Sequence, residues 1–284
     1  MDDYRALNDP ATRRRVERQG DYFVVEGLLA LEALLASPYP VRSVLATERR
    51  ADRVAALVGG RAPLLVRSEG EVAAVAGFDV HRGVLASAGR LPLPGPAAVT
   101  ARARLLLVVE GVGDHENVGA LFRNAAAFGA DGVILDPTTA DPLYRRSVRV
   151  SLGNVLRVPW TRMTSWPAAL AALGQGRGDD RFTVLALTPA ADAEPVAGVV
   201  ADLGTHAADA AAAVPRRGDA EAAPGPRVAV LVGAEGPGLT AAALAAASRR
   251  VRIPIAPGVD SLNVATAAAL ALHRVSEVLG RPRP

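Results

Sequence analysis

The 284-residue sequence contains no cysteine, which excludes a disulfide framework, a thiol nucleophile and a thiolate-ligated metal. Its four histidines, His81, His115, His206 and His273, are too few and too scattered for a ligand cluster, so no metal site is expected. Lysine is absent as well, and all 32 basic residues are arginine. A phosphate loop ending in lysine is thereby ruled out. Although 50% of the residues are hydrophobic, no uninterrupted apolar segment reaches the roughly 18 residues of a membrane span, so no membrane is expected. The opening MDDYRALNDPATRRR has no apolar core behind its charges and does not read as a secretory signal. A cytoplasmic location is the expectation.

What is present begins with arginine, whose planar fork grips phosphate through two hydrogen bonds and keeps its proton. The net charge is only +3, but arginines cluster at Arg13 to Arg15, at Arg145, Arg146 and Arg149, and at Arg249, Arg250 and Arg252. Each cluster alone is a solvated face; beside a nucleotide-type core they point to a phosphate-rich partner. The length suits two domains. Asp9 and Pro10 open a polar helix that ends near Gly20. YFVVEG, VRSVLAT, APLLVRS and HRGVLAS then read as short strands separated by helical stretches, giving a small α/β domain over residues 1–90. Proline-rich residues 91–103 read as a linker.

The alternation restarts in residues 104–284. Strands are expected at 105–110, 132–136, 155–159, 182–187, 227–233 and 251–255. These runs are apolar throughout, as expected of a parallel sheet covered on both faces. Residues 197–226, rich in Ala, Asp, Gly and Pro, read as a mobile insertion.

Three stretches carry chemistry. EGVGDHENVGALFR (110–123) begins like a dinucleotide fingerprint, but Glu116 stands where the third glycine should fall, and Gly119 stands where a zinc-protease helix would need its second histidine. A helix beginning near Asn117 places Arg123 in an otherwise apolar segment, where a charge needs a partner unless it reaches solvent. LVGAEGPGLT (231–240) is a strand followed by Gly233, Gly236 and Gly238 around Glu235, with Thr240 as a helix cap. IPIAPGVDSLNVATAAALALH (253–273) is a loop leading to a helix of small residues, with Ser261 as its N-cap.

Together these stretches resemble the signature motifs of the SpoU/TrmH family of RNA 2'-O-ribose methyltransferases, within the SPOUT class. The first motif is matched by NVGALFR (117–123), the second by VGAEGPGL (232–239), and the third by IPI (253–255) with SLNV (261–264). The resemblance implies a C-terminal α/β knot domain with a parallel sheet and a deep trefoil knot, preceded by a small α/β domain similar to ribosomal protein L30e that holds RNA. It implies S-adenosyl-L-methionine as cofactor, bound by Gly233, Ala234, Glu235, Gly236, Gly238, Ile253, Ile255, Ser261, Leu262 and Asn263. The implied catalytic set is Arg123, Asn117, Glu235, Ser261 and Asn263, with Arg123 central. Methylation of a ribose 2'-hydroxyl in ribosomal or transfer RNA, by a homodimer paired through the C-terminal domain, follows from the same resemblance. The alternatives are a catalytically silent RNA-binding protein on this scaffold, which would be expected to lose Arg123 or Asn263, and a nucleotide-dependent enzyme of Rossmann type.

Overall fold

A computed structural model describes residues 1–9, 12, 22–176, 181–212 and 225–281. The polar helix expected after Asp9, and the cluster Arg13 to Arg15, therefore fall almost wholly outside the described residues. The first half runs β1 (Tyr22–Glu26), α1 (Leu28–Leu35), β2 (Val41–Thr47), α2 (Ala51–Val58), β3 (Leu64–Arg67), α3 (Glu69–Ala76) and β4 (Val84–Gly89). The second half opens with α4 (Pro96–Thr100), β5 (Leu105–Val109), α5 (His115–Ala127), β6 (Gly132–Leu135), α6 (Arg145–Val150), β7 (Trp160–Arg162) and α7 (Ala168–Gly174). It closes with β8 (Phe182–Leu187), β9 (Glu194–Pro195), α8 (Val196–Ala212), β10 (Arg227–Val232), α9 (Ala241–Ala246), β11 (Arg249–Arg252) and α10 (Val264–Val278).

The chain folds into two compact units, one made of residues 1–92, 118–123 and 141–157, the other of the remainder. In the first, a four-stranded sheet has the order β1-β4-β2-β3, with β4 antiparallel to both neighbours and β2 parallel to β3. Tyr4, Val24, Leu45, Val72 and Leu85 form its core. Each aliphatic side chain so buried contributes about 1.5–3 kcal/mol. Helix α3 is fixed by a capping box in which Ser68 and Glu71 bond each other's amides. Helix α6 lies against β1 because buried Arg145 donates to Glu26 Oε2 at 2.5 Å and to Asn8 Oδ1 at 2.7 Å, with its guanidinium 4.3 Å from the Phe78 ring centre. Gly119 belongs here too: a Cβ on it would stand 2.6 Å from the Ser147 carbonyl oxygen, so only glycine allows this close helix approach.

The second unit holds a seven-stranded sheet in the order β7-β6-β5-β10-β8-β11-β9, every neighbouring pair parallel. Both faces are covered: all five residues of β5 are buried, and Phe182, Val184, Ala229, Leu231, Leu106 and Val108 share one core cluster. That is why these strands are unbroken apolar runs.

Several elements differ from the sequence reading. Residues 155–159 are not a strand; Gly153, at φ 80°, starts a short 3-10 turn over Asn154–Leu156, and the ladder begins only at Trp160. Strand β11 covers Arg249–Arg252 and not 251–255, because Pro254 has no N–H to extend the ladder. Residues 91–103, expected as a linker, include α4 with Val99 and Ala103 buried in the core. The stretch 197–226, expected as mobile, begins as the body of α8, which packs on α10; residues 213–224 lie outside the described residues. Among the described residues no helix is long and apolar enough to cross a membrane.

Candidate functional site

In a parallel sheet, ligand sites form beyond the carboxyl ends of the strands. Here the segments leaving β5, β10 and β11 carry the motif residues. The turn after β5 is set by Gly111 (φ 69°), whose amide donates to Asp136 Oδ1 at 3.0 Å. Burial pushes the Asp136 carboxyl up, but the hydroxyls of Thr138 and Thr139 and the amides of Gly111 and Thr139 outweigh it and hold the group below its ordinary value. Asp136 is thus a turn-closing group, consistent with the failed dinucleotide fingerprint. Helix α5 starts two residues earlier than expected: Asp114 is its N-cap and accepts from the Asn117 amide at 2.8 Å.

The loop after β10 folds tightly on itself. A Cβ on Gly233 would lie 2.5 Å from both the Gly238 carbonyl carbon and the Leu239 nitrogen, and the Gly238 amide donates to the Ala234 carbonyl at 3.0 Å. Gly236 and Gly238 take φ of 87° and 70°, a region other residues avoid. After β11, the chain passes Ile253 and Ile255 to reach α10. The N-cap of that helix is Asn263, not Ser261: Asn263 Oδ1 accepts from the amides of Ala265 and Thr266 at 3.0 and 3.2 Å.

The same asparagine joins all three motifs. Its Nδ2 donates to Glu235 Oε1 at 2.8 Å and to Asn117 Oδ1 at 2.9 Å. Asn124, seven residues beyond Asn117 and so nearly on the same helix face, donates to the Ala265 carbonyl at 2.8 Å. Beside this junction lies a cavity of about 320 Å³. Gly233, Ala234, Glu235, Gly236, Gly238, Ile253, Ile255, Ser261, Leu262 and Asn263 all line it.

Leu187, Thr188 and Pro189 at the end of β8 also line the cavity and were not expected. The signal available was their place at the carboxyl end of an apolar strand. Asn117 reaches the site through Asn263. Arg123 is not among the lining residues and is exposed; six residues from Asn117, it is turned about 120° around α5. Its charge therefore needs no buried partner.

The arginine clusters have mostly structural partners. Arg249 pairs with Glu194 and Asp202, Arg250 with Asp192 at 2.8 Å, and Arg252 donates to the Ala193 carbonyl at 3.0 Å. These contacts fasten β9, the turn before it and helix α8 to β11. Arg145 is committed to Glu26, while Arg146 is exposed. No group of acidic or histidine side chains suited to a metal occurs among the described residues.

Comparison with known proteins adds the following. The SpoU rRNA methylase family model matches residues 104–273. Over 274 residues, 96% of this chain and 87% of the other, the sequence is 44% identical to an "uncharacterized tRNA/rRNA methyltransferase" of Mycobacterium tuberculosis. It is 32% identical over 209 residues, 70% of each chain, to a 23S rRNA (guanosine-2'-O-)-methyltransferase of Ralstonia nicotianae. The fold is similar to that of an AdoMet-bound rRNA methyltransferase from Sinorhizobium meliloti, with a TM-score of 0.73 and 23% identity over 98% of this chain and 94% of that one.

Proposed function

The chain belongs to the SpoU rRNA methylase family, and on that premise we propose that it transfers a methyl group from S-adenosyl-L-methionine to a ribose 2'-hydroxyl of structured RNA, ribosomal or transfer. The observation that carries this reading is the cavity walled by the second and third motifs and tied to the first through Asn263. Its volume of about 320 Å³ lies within the range of small-molecule sites. The residues present fit the cofactor: aliphatic Leu187, Val232, Ile253, Ile255 and Leu262 offer an apolar wall, and the glycine loop brings main-chain amides and carbonyls within reach. The relatives' names support the reading, since one acts on a guanosine 2'-oxygen and another holds AdoMet.

Bound there, the cofactor would supply an electrophilic methyl group on a sulfonium centre. A ribose hydroxyl is a poor nucleophile at neutral pH, so the protein must hold it in line and accommodate its proton. In this proposal Asn263 and Ser261 complete the pocket wall, Glu235 braces the glycine loop through Asn263, and Asn117 orients the ribose. A guanidinium is a poor base because it holds its proton firmly, so Arg123 grips the RNA phosphate and stabilises the emerging alkoxide. The trefoil knot, the L30e-like character of residues 1–90 and their role in holding RNA, the methyltransferase domain at 104–284, the homodimer and the cytoplasmic location belong to the same proposal.

The test is incubation with methyl-labelled S-adenosylmethionine and RNA from cells lacking the gene, followed by alkaline digestion. Methylation at the 2'-oxygen blocks cleavage, so label is expected in alkali-resistant dinucleotides. Label confined to mononucleotides would refute the ribose assignment, and RNA binding without transfer would favour the silent RNA-binding protein. Arg123→Ala is expected to abolish transfer while cofactor affinity stays near wild type; retained transfer would remove Arg123 from the mechanism.

A further inference from the structure

Glu110 ends the apolar strand β5 and is 4% exposed. Both of its carboxylate oxygens are occupied. Oε2 accepts from the Thr240 amide at 2.9 Å, and Oε1 accepts from the Thr240 hydroxyl at 2.8 Å and the Trp166 indole N–H at 2.6 Å. An ionised carboxylate can only accept, so the Thr240 hydroxyl must donate to it. That leaves the hydroxyl's lone pairs for the Ala243 amide at 3.1 Å, which caps α9. The main chain of Glu110 is engaged as well, its amide donating to the Val232 carbonyl at 2.9 Å. Val232 is the last residue before the glycine loop and Thr240 the first residue after Leu239. One residue therefore holds both ends of the loop that lines the cavity: its amide at the start, its carboxylate at the finish.

We propose that Glu110 is a positioning residue for the methyl-donor site, its buried carboxylate setting the closure of the Gly233–Gly238 loop through Thr240, with Trp166 as the donor that orients the carboxylate. The proposal rests on the reading of the cavity as the S-adenosylmethionine site. The carboxylate does not line the cavity, so its effect reaches the cofactor only through the shape of the loop. Affinity for the donor is the property it controls, and the rate at saturating donor is the property it leaves nearly unchanged.

Glu110→Gln keeps the size of the side chain but replaces one acceptor with an NH₂ group. The Thr240 amide can face only the remaining oxygen, and the Thr240 hydroxyl can rotate to accept. The new NH₂ must then oppose the Trp166 N–H, donor against donor. Trp166→Phe removes that conflict, so its effect should reverse sign between the two backgrounds. In the wild-type background it removes a donor and should weaken binding a few-fold; in the Glu110→Gln background it should restore most of the loss.

The experiment is calorimetric titration of S-adenosylmethionine into wild type, E110Q, W166F and the double variant, with melting temperatures read in parallel and KM and kcat compared where transfer is measurable. E110Q should bind roughly tenfold more weakly, or worse, with KM raised far more than kcat is lowered. Wild-type affinity in E110Q, or W166F effects of the same sign in both backgrounds, would overturn the positioning role. Should E110Q not fold, W166F alone decides: unchanged affinity would overturn the proposal, and a few-fold loss at unchanged melting temperature would support it. Failure of the wild-type chain to bind S-adenosylmethionine would instead overturn the reading of the cavity itself.

Discussion

Asn263 does two jobs with two ends of one amide, and the substitution Asn263→Asp separates them. The oxygen caps α10 through the Ala265 and Thr266 amides, while the nitrogen bridges Glu235 and Asn117. Asp is as good a cap as Asn, and a negative charge at a helix N-terminus adds about 0.3–1 kcal/mol. The bridge fares differently. The single oxygen that replaces Nδ2 would face Glu235 Oε1 at 2.8 Å, acceptor against acceptor, and would keep Asn117 only if that amide flips to donate. Two unit charges that close repel by about 1.5 kcal/mol in water, and each lost hydrogen bond costs about 0.5–1.5 kcal/mol. The exposed side chains can swing apart, which limits the cost to stability but opens the junction. Global stability should therefore stay within about 1 kcal/mol of wild type, while S-adenosylmethionine affinity falls about tenfold. Asn263→Ala should lose both functions and be about 1 kcal/mol less stable than Asn263→Asp. Denaturant unfolding and calorimetric titration on the two variants measure both quantities. Wild-type cofactor affinity in Asn263→Asp, or equal destabilisation of the two variants, would refute the division of labour.

Gly233→Ala places a methyl 2.5 Å from the backbone of Gly238 and Leu239; because backbone must move, a cost of about 1–3 kcal/mol is expected, read as weakened cofactor binding with the fold retained by circular dichroism. Glu26→Gln leaves the buried Arg145 guanidinium without its counter-charge, and a loss of about 3–5 kcal/mol in denaturant unfolding follows; a change below about 1 kcal/mol would show the pair to be dispensable. For Asp136, hydrogen bonds hold the folded carboxyl below its unfolded value. Its contribution to stability is thus present above about pH 4 and is lost as pH falls through the depressed value. Asp136→Asn should flatten the acid limb of the stability curve, and an unchanged limb would contradict the assignment.

The doubly covered sheet was legible because β5, β8 and β10 are unbroken apolar runs alternating with helical stretches, the pattern of a parallel layer with helices on both faces. Where charge or turn chemistry intervened, legibility failed. Strand β11 begins with Arg249 and Arg250, which pattern alone places outside a strand; they belong to it because Glu194 of edge strand β9 and Asp192 just before it meet their side chains. The apolar run 155–159 looked like a strand, but its backbone is committed to the turn that Gly153 starts. Ser261 and Asn263 are both good caps by residue type, and only the path of the preceding loop decides between them. The cavity-lining residues named from the motifs came from the family resemblance. Glu110 stayed invisible because its partner Thr240 is 130 residues away, a distance over which no local pattern reports.

In the proposed function the loops after β10 and β11 form the methyl-donor site. A crystal structure of the chain soaked with S-adenosylmethionine tests it most directly. Cofactor density is predicted in the cavity between residues 233–238 and 253–263, against Leu187 to Pro189. Clear density for the cofactor elsewhere, with that cavity unfilled, would contradict it.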